Sequence, residues 1–491
     1  MSTDQQSPPR TDLRRAGAKG ALYQGVAFLA SKSGIMLSTI VLARILAPSE
    51  FGLVTLAVVV VGYVQTLADA GVGQALVYIP RRESIVNAAI LSALGTGVAL
   101  AVLGVLAAPL AASFFASPHL APLVRLCALS LIPSALNSVP ESLLRRELRF
   151  SRITIARTAQ AVTVAGVAIG LAVLGFGAWS IAWGNFAGST MYLVAGWIAL
   201  PQRPGLRLWR TSLADVREVV AFGFPVAGAT FLSRAIFDVD YLIVGKLLGE
   251  TSLAYYTLAF KLPELAILNV FFVITNVTFP LYTRARDDPD RLRRGYVFSF
   301  GIQSLYGVSA GVGLAVVAPI AIAVVFGPHW TLAAAPLVAL ALYAAVRTVG
   351  GGANEVYKAL GRPGLSVGIS VVRLAVLVPA LVLATRWGIT GVAWMQFVMA
   401  AVFALLMQGV ALRVMQLRPG AMLKALLPSL AAGVAVAVAA GAVGLLPLPA
   451  PLLLVLAVVV AACAAVGALA IVQRPFLLET LALFRRRTAR T

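Results

Sequence analysis

The sequence predicts an all-α polytopic membrane protein of about fourteen transmembrane helices. Three observations predict it. The 491 residues are 60% hydrophobic and only 12% charged, with a mean hydropathy of +0.93, where a soluble domain is nearer half apolar and a quarter charged. Uncharged runs such as Leu91 to Phe115 and Leu452 to Val472 are long enough to cross ~30 Å of hydrocarbon as helices. The basic residues fall in short clusters between such runs, not on one face of a soluble domain.

The same features exclude other classes. A transmembrane β-barrel alternates apolar and polar residues in short segments, which these runs do not. The net charge of +21 could suggest nucleic acid, but its distribution does not, so no nucleic-acid partner is expected. The two cysteines, Cys127 and Cys463, lie inside apolar runs, and the two histidines, His119 and His329, sit in short loops beside proline. No disulfide framework, metal site or cofactor is therefore expected.

Taken in order, the apolar runs place spans at 18–43, 51–78, 84–115, 120–144, 153–175 and 177–200, preceded by a polar tail over 1–17. No small-residue cleavage site follows that tail, so it is expected to stay cytoplasmic. A basic linker occupies 201–214. A second set follows within 215–415, at 218–248, 252–282, 295–326, 331–357, 364–385 and 388–412. A last pair, 422–446 and 451–472, lies within 416–472. The tail at 473–491 opens with Pro475 and ends in Arg485-Arg486-Arg487, which suits an amphipathic helix on the inner leaflet or a disordered basic tail.

Charge tests the count. With the amino terminus cytoplasmic, the clusters around Arg14, Arg81, Arg145, Arg203, Arg291, Lys358, Arg413 and Arg486 all fall inside, while the opposite loops hold only Arg44, Lys246 and Arg386. Both termini are then cytoplasmic.

The two sets of six resemble one another. Ile40-Val41-Leu42-Ala43-Arg44-Ile45-Leu46 aligns with Leu242-Ile243-Val244-Gly245-Lys246-Leu247-Leu248, and Gly177-Ala178-Trp179-Ser180-Ile181-Ala182-Trp183 aligns with Gly388-Ile389-Thr390-Gly391-Val392-Ala393-Trp394. Phe186 matches Phe397 on the same offset. An even number of spans per unit inserts both with one orientation, a parallel repeat that transporters use to place a central site between lobes.

Ionisable groups in hydrocarbon cost several kcal/mol, so they face a cavity or a partner. Lys32 precedes Arg44 by twelve residues, Arg234 precedes Lys246 by twelve, Lys261 follows Glu250 by eleven, and Arg373 precedes Arg386 by thirteen. At ~1.5 Å per residue the first three lie roughly 16–18 Å from the outer loops, with Arg373 in a similar layer. Such a layer suits an anionic passenger. Asp69, Asp238, Asp240 and Glu264 could balance these cations or take up a coupling sodium ion or proton. Local pairing competes with substrate contact: Arg234 and Asp238 are i,i+4, and Lys261 and Glu264 are i,i+3. Pro225, Pro263 and Gly350-Gly351-Gly352 interrupt spans, as hinges or as packing kinks. Asp288-Pro289-Asp290 superficially matches a metal-binding D-x-D pattern, but with no adjoining soluble domain it reads as a solvated turn.

The stretch Leu42-Ala43-Arg44-Ile45-Leu46-Ala47-Pro48-Ser49-Glu50-Phe51-Gly52 resembles the first-loop motif of the polysaccharide-export flippases, within the multidrug/oligosaccharidyl-lipid/polysaccharide exporter superfamily. Ala68-Asp69-Ala70-Gly71, Leu144-Arg145-Arg146-Glu147-Leu148-Arg149-Phe150 and Gly175-Phe176-Gly177-Ala178-Trp179 agree with it. The resemblance implies two six-helix lobes around a central cavity, with the last helix pair as an addition. It also implies a bacterial cytoplasmic-membrane protein that is not an enzyme and has no catalytic residues. Its passenger would be an undecaprenyl-pyrophosphate-linked oligosaccharide, moved from inner to outer leaflet by alternating access alongside polysaccharide-assembly machinery. A lipid II or multidrug exporter of the same superfamily is the nearest alternative; a membrane polysaccharide polymerase or glycosyltransferase is the alternative from another class.

Overall fold

In the computed structural model, residues 34–69, 76, 83–201, 205 and 211–472 are described. Lys32 and the tail at 473–491, for which an amphipathic helix or a disordered basic tail was expected, lie outside them, as does the side chain of Asp69. Among the described residues there is no strand. Ten helical stretches among the described residues are long and apolar enough to cross a membrane. Their outward faces carry Leu106, Leu110, Leu405, Val434 and Val438, each at least two-thirds exposed or nearly so. Apolar groups so presented need lipid as solvent.

The chain divides into two compact units, Met1–Asp238 and Val239–Thr491. The first holds α1 (Gly34–Ile45), α2 (Pro48–Asp69), α3 (Glu83–Phe114), α4 (Leu120–Leu129), α5 (Leu131–Arg146), α6 (Phe150–Val173), α7 (Ala178–Ala199) and most of α8 (Leu213–Leu248). Pro48 occupies the first position of α2, where a missing N–H costs nothing. Three residues into the helix, Glu50 Oε2 accepts from the Ala47 N–H at 3.2 Å, the returning half of a capping box. The Ser130 junction divides the span Leu120–Arg146 into α4 and α5. α7 packs on α6 through Gly184 and Gly188, a G-x-x-x-G pair: a Cβ at Gly184 would come within 2.9 Å of the Ala168 methyl, and one at Gly188 would overlap Val164. The core at one end gathers Ile85, Ile90, Val139, Leu143 and Leu144.

The second unit continues with α9 (Glu250–Pro263), a π-helical segment Glu264–Leu268, α10 (Asn269–Ala285), α11 (Pro289–Val316), the short α12 (Ala318–Val325), α13 (Ala334–Ala359), α14 (Pro363–Ala384), α15 (Gly388–Met415), α16 (Pro419–Gly444) and α17 (Ala450–Val472). The run expected as one span over 295–326 is instead two helices broken at Val317, with Pro319 in the first turn of α12. Asp288 is the N-cap of α11, accepting from the Arg291 N–H at 3.0 Å with Pro289 behind it. That local role accounts for the D-x-D pattern.

The three glycines 350–352 do not unwind the chain: α13 is continuous through them. Each instead admits a different neighbour. A Cβ at Gly350 would meet Ala404 of α15, one at Gly351 would meet Phe271 of α10, and one at Gly352 would meet Gln303 of α11. Pro263 behaves differently, because the helix passes directly into a π turn after it. Such turns re-aim side chains and recur at functional sites.

Local features recur at an offset of 211 residues. Gly177 and Gly388 both precede a helix with positive φ, +53° and +65°. Trp183 meets Phe186 edge-on at 5.9 Å and 88°, and Trp394 meets Phe397 at 5.6 Å and 86°.

Candidate functional site

The most concentrated chemistry in the second unit is an arginine–aromatic cluster held by the end of α8 and by α9, α13 and α14. Arg347 and Arg373 sit at the centres of α13 and α14, where a span is furthest from either surface. Both address Tyr343, one helical turn before Arg347. The Arg347 Nη1 donates to the Tyr343 hydroxyl at 2.8 Å, and its guanidinium carbon lies 5.7 Å from the ring centroid. Arg373 lies within electrostatic reach of Tyr343, Arg347 and Asp240. Its buried Nε has no hydrogen-bond partner among the described residues.

Asp240 is buried, and its carboxylate accepts from the Tyr256 hydroxyl at 2.8 Å and from the Tyr241 N–H at 3.0 Å. An aromatic row links this acid to the arginines: Tyr241 touches Tyr256 and Phe260 at 5.9 and 6.5 Å, and Phe260 touches Tyr343 at 6.0 Å. Next along α9, Lys261 Nζ pairs with Glu264 at 3.0 Å, a contact made across the start of the π turn. Two guanidinium groups near one phenol repel each other, and among the described residues the Asp240 carboxylate lies within electrostatic reach of Arg373 to offset this. The Arg373 Nε, without a hydrogen-bond partner among the described residues, can donate to an oxygen of an anion. The aromatic row offers flat apolar faces beside it.

The site residues expected from sequence fall in different places. Arg373, Asp240, Lys261 and Glu264 belong to the second unit, the first two directly in this cluster. Arg234 and Asp238 form an ion pair at 2.8 Å in the first unit, and the Arg234 guanidinium rests on Gly62 of α2 where any side chain would collide with it. Arg347 and the aromatic row were not expected. The signal for Arg347 was present, since it is the lone charge in the apolar run Ala334 to Val349 and precedes Lys358 by eleven residues.

The first unit carries its own shared carboxylate. Glu141 of α5 accepts from Arg145 and Arg157, both at 2.7 Å, and from the Tyr192 hydroxyl at 2.8 Å. Arg157 also lies 5.7 Å from the Tyr192 centroid. Donors from α5, α6 and α7 meet on this one acid, so the cluster ties the three helices together. The flanking Arg152 donates to the Ala199 carbonyl at the end of α7, at 2.5 Å, a favourable place for a cation. Among the described residues no group of three His, Cys, Asp or Glu could hold a metal.

Comparison with known proteins places the chain. The model of a family described as polysaccharide biosynthesis protein matches residues 41–335. The chain is 24% identical over 381 residues to the lipopolysaccharide biosynthesis protein WzxC of Escherichia coli, covering 76% of this chain and 75% of that protein. It is 29% identical over 311 residues to the succinoglycan biosynthesis transport protein ExoT of Rhizobium meliloti, covering 63% and 62%. Among solved structures it resembles the lipid II flippase MurJ, at 12% identity and a TM-score of 0.70 over 92% of this chain and 99% of that one. It also resembles a multidrug resistance MATE family transporter of the MOP superfamily, at 17% identity and a TM-score of 0.65 over 78% and 95%. At those identities the likeness is one of fold. With its helical membrane architecture and a family match over more than half its length, the chain belongs to the polysaccharide biosynthesis protein family and has the fold of the MOP-superfamily transporters.

Proposed function

We propose that the protein is a flippase that carries undecaprenyl-pyrophosphate-linked oligosaccharide repeat units from the inner to the outer leaflet of the bacterial cytoplasmic membrane. It works by alternating access, for exopolysaccharide, lipopolysaccharide or capsule assembly. The observation that carries this reading is the pair Arg347 and Arg373 at the centres of two spans, Arg347 bonded to Tyr343 and the Arg373 Nε without a hydrogen-bond partner among the described residues. A pyrophosphate supplies an acceptor oxygen for the Arg373 Nε, and in low dielectric such charge-assisted bonds are strong. The aromatic row from Tyr256 to Tyr343 gives sugar rings apolar faces to lie against.

The relatives named for lipopolysaccharide and succinoglycan biosynthesis support a glycan passenger. The fold is shared with a multidrug transporter and a lipid II flippase, but basic residues at helix centres favour an anionic cargo over cationic drugs. Lys32 and Arg234 are the corresponding cations of the amino-terminal lobe in this account, and Asp69, Asp238, Asp240 and Glu264 are the acids available to balance charge or take a coupling sodium ion or proton. Reconstitution in vesicles with polyprenyl-diphosphate-linked oligosaccharide tests the reading. The sugar should become accessible to a membrane-impermeant lectin or glycosidase only when the protein is present. Equal access in protein-free vesicles would refute it.

A further inference from the structure

Between α11 and α16 of the second unit runs a groove of about 460 Å³, lined by apolar and small residues, among them Val297, Phe298, Leu305 and Pro428. Three cations stand at one end: Arg293, Arg294 and Lys424. Their partners divide them. Arg293 is anchored, its Nε donating to the Met415 carbonyl at 2.7 Å and its Nη1 to Asp290 at 3.0 Å. Arg294 and Lys424 are exposed and have no partner among the described residues. The lining positions recur on one face of each helix: 293/294, 297/298, 301 and 305 on α11, then 421, 424/425 and 428 on α16. From Arg294 to Leu305 is eleven residues, or ~16 Å of helix rise, about the length of a fatty acyl chain.

We infer that this groove is a binding site for one diacyl phospholipid with an anionic headgroup, seated from the leaflet that faces the Arg284, Arg286, Arg413 and Arg418 end of the bundle. The charge rule makes that leaflet the cytoplasmic one. Arg294 and Lys424 hold the phosphate, Arg293 stiffens the rim, and one acyl chain lies along Val297, Phe298, Gly301 and Leu305. Isolated lysines and arginines at a membrane surface merely snorkel. Here two unpartnered cations from different helices converge over an apolar channel of acyl-chain length, a two-part fit that a snorkelling side chain does not require. The site is separate from the arginine–aromatic cluster and stands whether or not the transport reading does.

Native mass spectrometry of the full chain, titrated with phosphatidylglycerol and with phosphatidylcholine of identical acyl chains, tests it. Wild-type protein should retain phosphatidylglycerol in preference by about tenfold or more, the scale of two basic contacts to an anionic headgroup. The double variant Arg294→Gln/Lys424→Gln should bring both lipids to the same occupancy with the gel-filtration profile unchanged. The charge-preserving double variant Arg294→Lys/Lys424→Arg and the loop control Arg286→Gln should keep the preference. Equal retention of the two lipids by wild type, or a preference that survives the glutamine pair, overturns the site. Displacement of phosphatidylglycerol by inorganic phosphate or by equimolar polyprenyl phosphate overturns the choice of occupant.

Discussion

Arg347 reaches Tyr343 twice, through a 2.8 Å hydrogen bond to the phenol and through a guanidinium carbon 5.7 Å from the ring centroid. Four residues apart on α13, the two side chains are held by helix geometry alone. What is not dictated by that helix is the second guanidinium. Arg373, on α14, lies within electrostatic reach of the same phenol and of Arg347, and this convergence is what the transport account rests on.

Arg373→Gln should lower the flipping rate about ten- to a hundredfold, the loss of one charge-assisted hydrogen-bonded contact of about 1.5–3 kcal/mol. Protein yield and thermal stability should hold, because removing one of two repelling cations relieves strain in the apo state. A proteoliposome flipping assay with matched protein content reads the rate, and a wild-type rate would remove Arg373 from the site.

Gly62 provides the seat for the Arg234 guanidinium, and any Cβ there would collide with it. Gly62→Ala should therefore reduce polymer export in the same direction as Arg234→Ala, with membrane insertion intact in both. Complementation of an export-deficient strain measures this. Export at the wild-type level in both variants would assign the Arg234–Asp238 pair to packing.

Glu141 is the common acceptor of Arg145, Arg157 and Tyr192. Glu141→Gln should destabilise the first unit by about 1–3 kcal/mol, since it strips the compensating charge from two guanidinium groups. Adding Arg157→Gln should recover part of that loss. A double-mutant cycle on thermal unfolding in nanodiscs reads the coupling. Additive effects would mean that Glu141 and Arg157 act independently.

Gly350 sits against the Ala404 backbone, where a new Cβ would come to 2.9 Å from the Ala404 Cα. Alanine in a helix interior normally gains about 1 kcal/mol over glycine. At this position the overpacking penalty of about 1–3 kcal/mol should exceed the gain, so Gly350→Ala should lower the unfolding temperature. A rise would show that α13 and α15 can separate at no cost.

Much of this was legible in the sequence because membrane helices advertise themselves through long apolar runs and loop charge. The expected spans began at 51 and 295, whereas α2 starts at Pro48 and α11 at Pro289, because the capping residues Glu50 and Asp288 are polar and hydropathy reads them as loop. The break at Val317 was hidden, since Ala318, Pro319 and Ile320 are as apolar as what precedes them and hydropathy carries no information about bends. The glycine triplet misleads for a related reason: sequence shows a missing side chain, not whether a neighbour occupies the space. Arg373 could be found by counting from a charged loop residue. Its grouping with Tyr343, Asp240 and Tyr256 could not, because that depends on how α9, α13 and α14 pack. Arg347 could have been found by the same arithmetic.

The central claim is that a pair of guanidinium groups at the centre of the second unit recognises a lipid-linked pyrophosphate. Equilibrium binding of polyprenyl-diphosphate-linked sugar to purified protein, compared with the same sugar on an uncharged polyprenyl carrier, tests it most directly. The account predicts that wild type prefers the diphosphate by at least about a hundredfold, two charge-assisted contacts of about 1.5 kcal/mol each. The preference should fall stepwise in Arg373→Gln and in Arg347→Gln/Arg373→Gln. Equal affinity for charged and uncharged carriers, or a preference unchanged in the double variant, would contradict it.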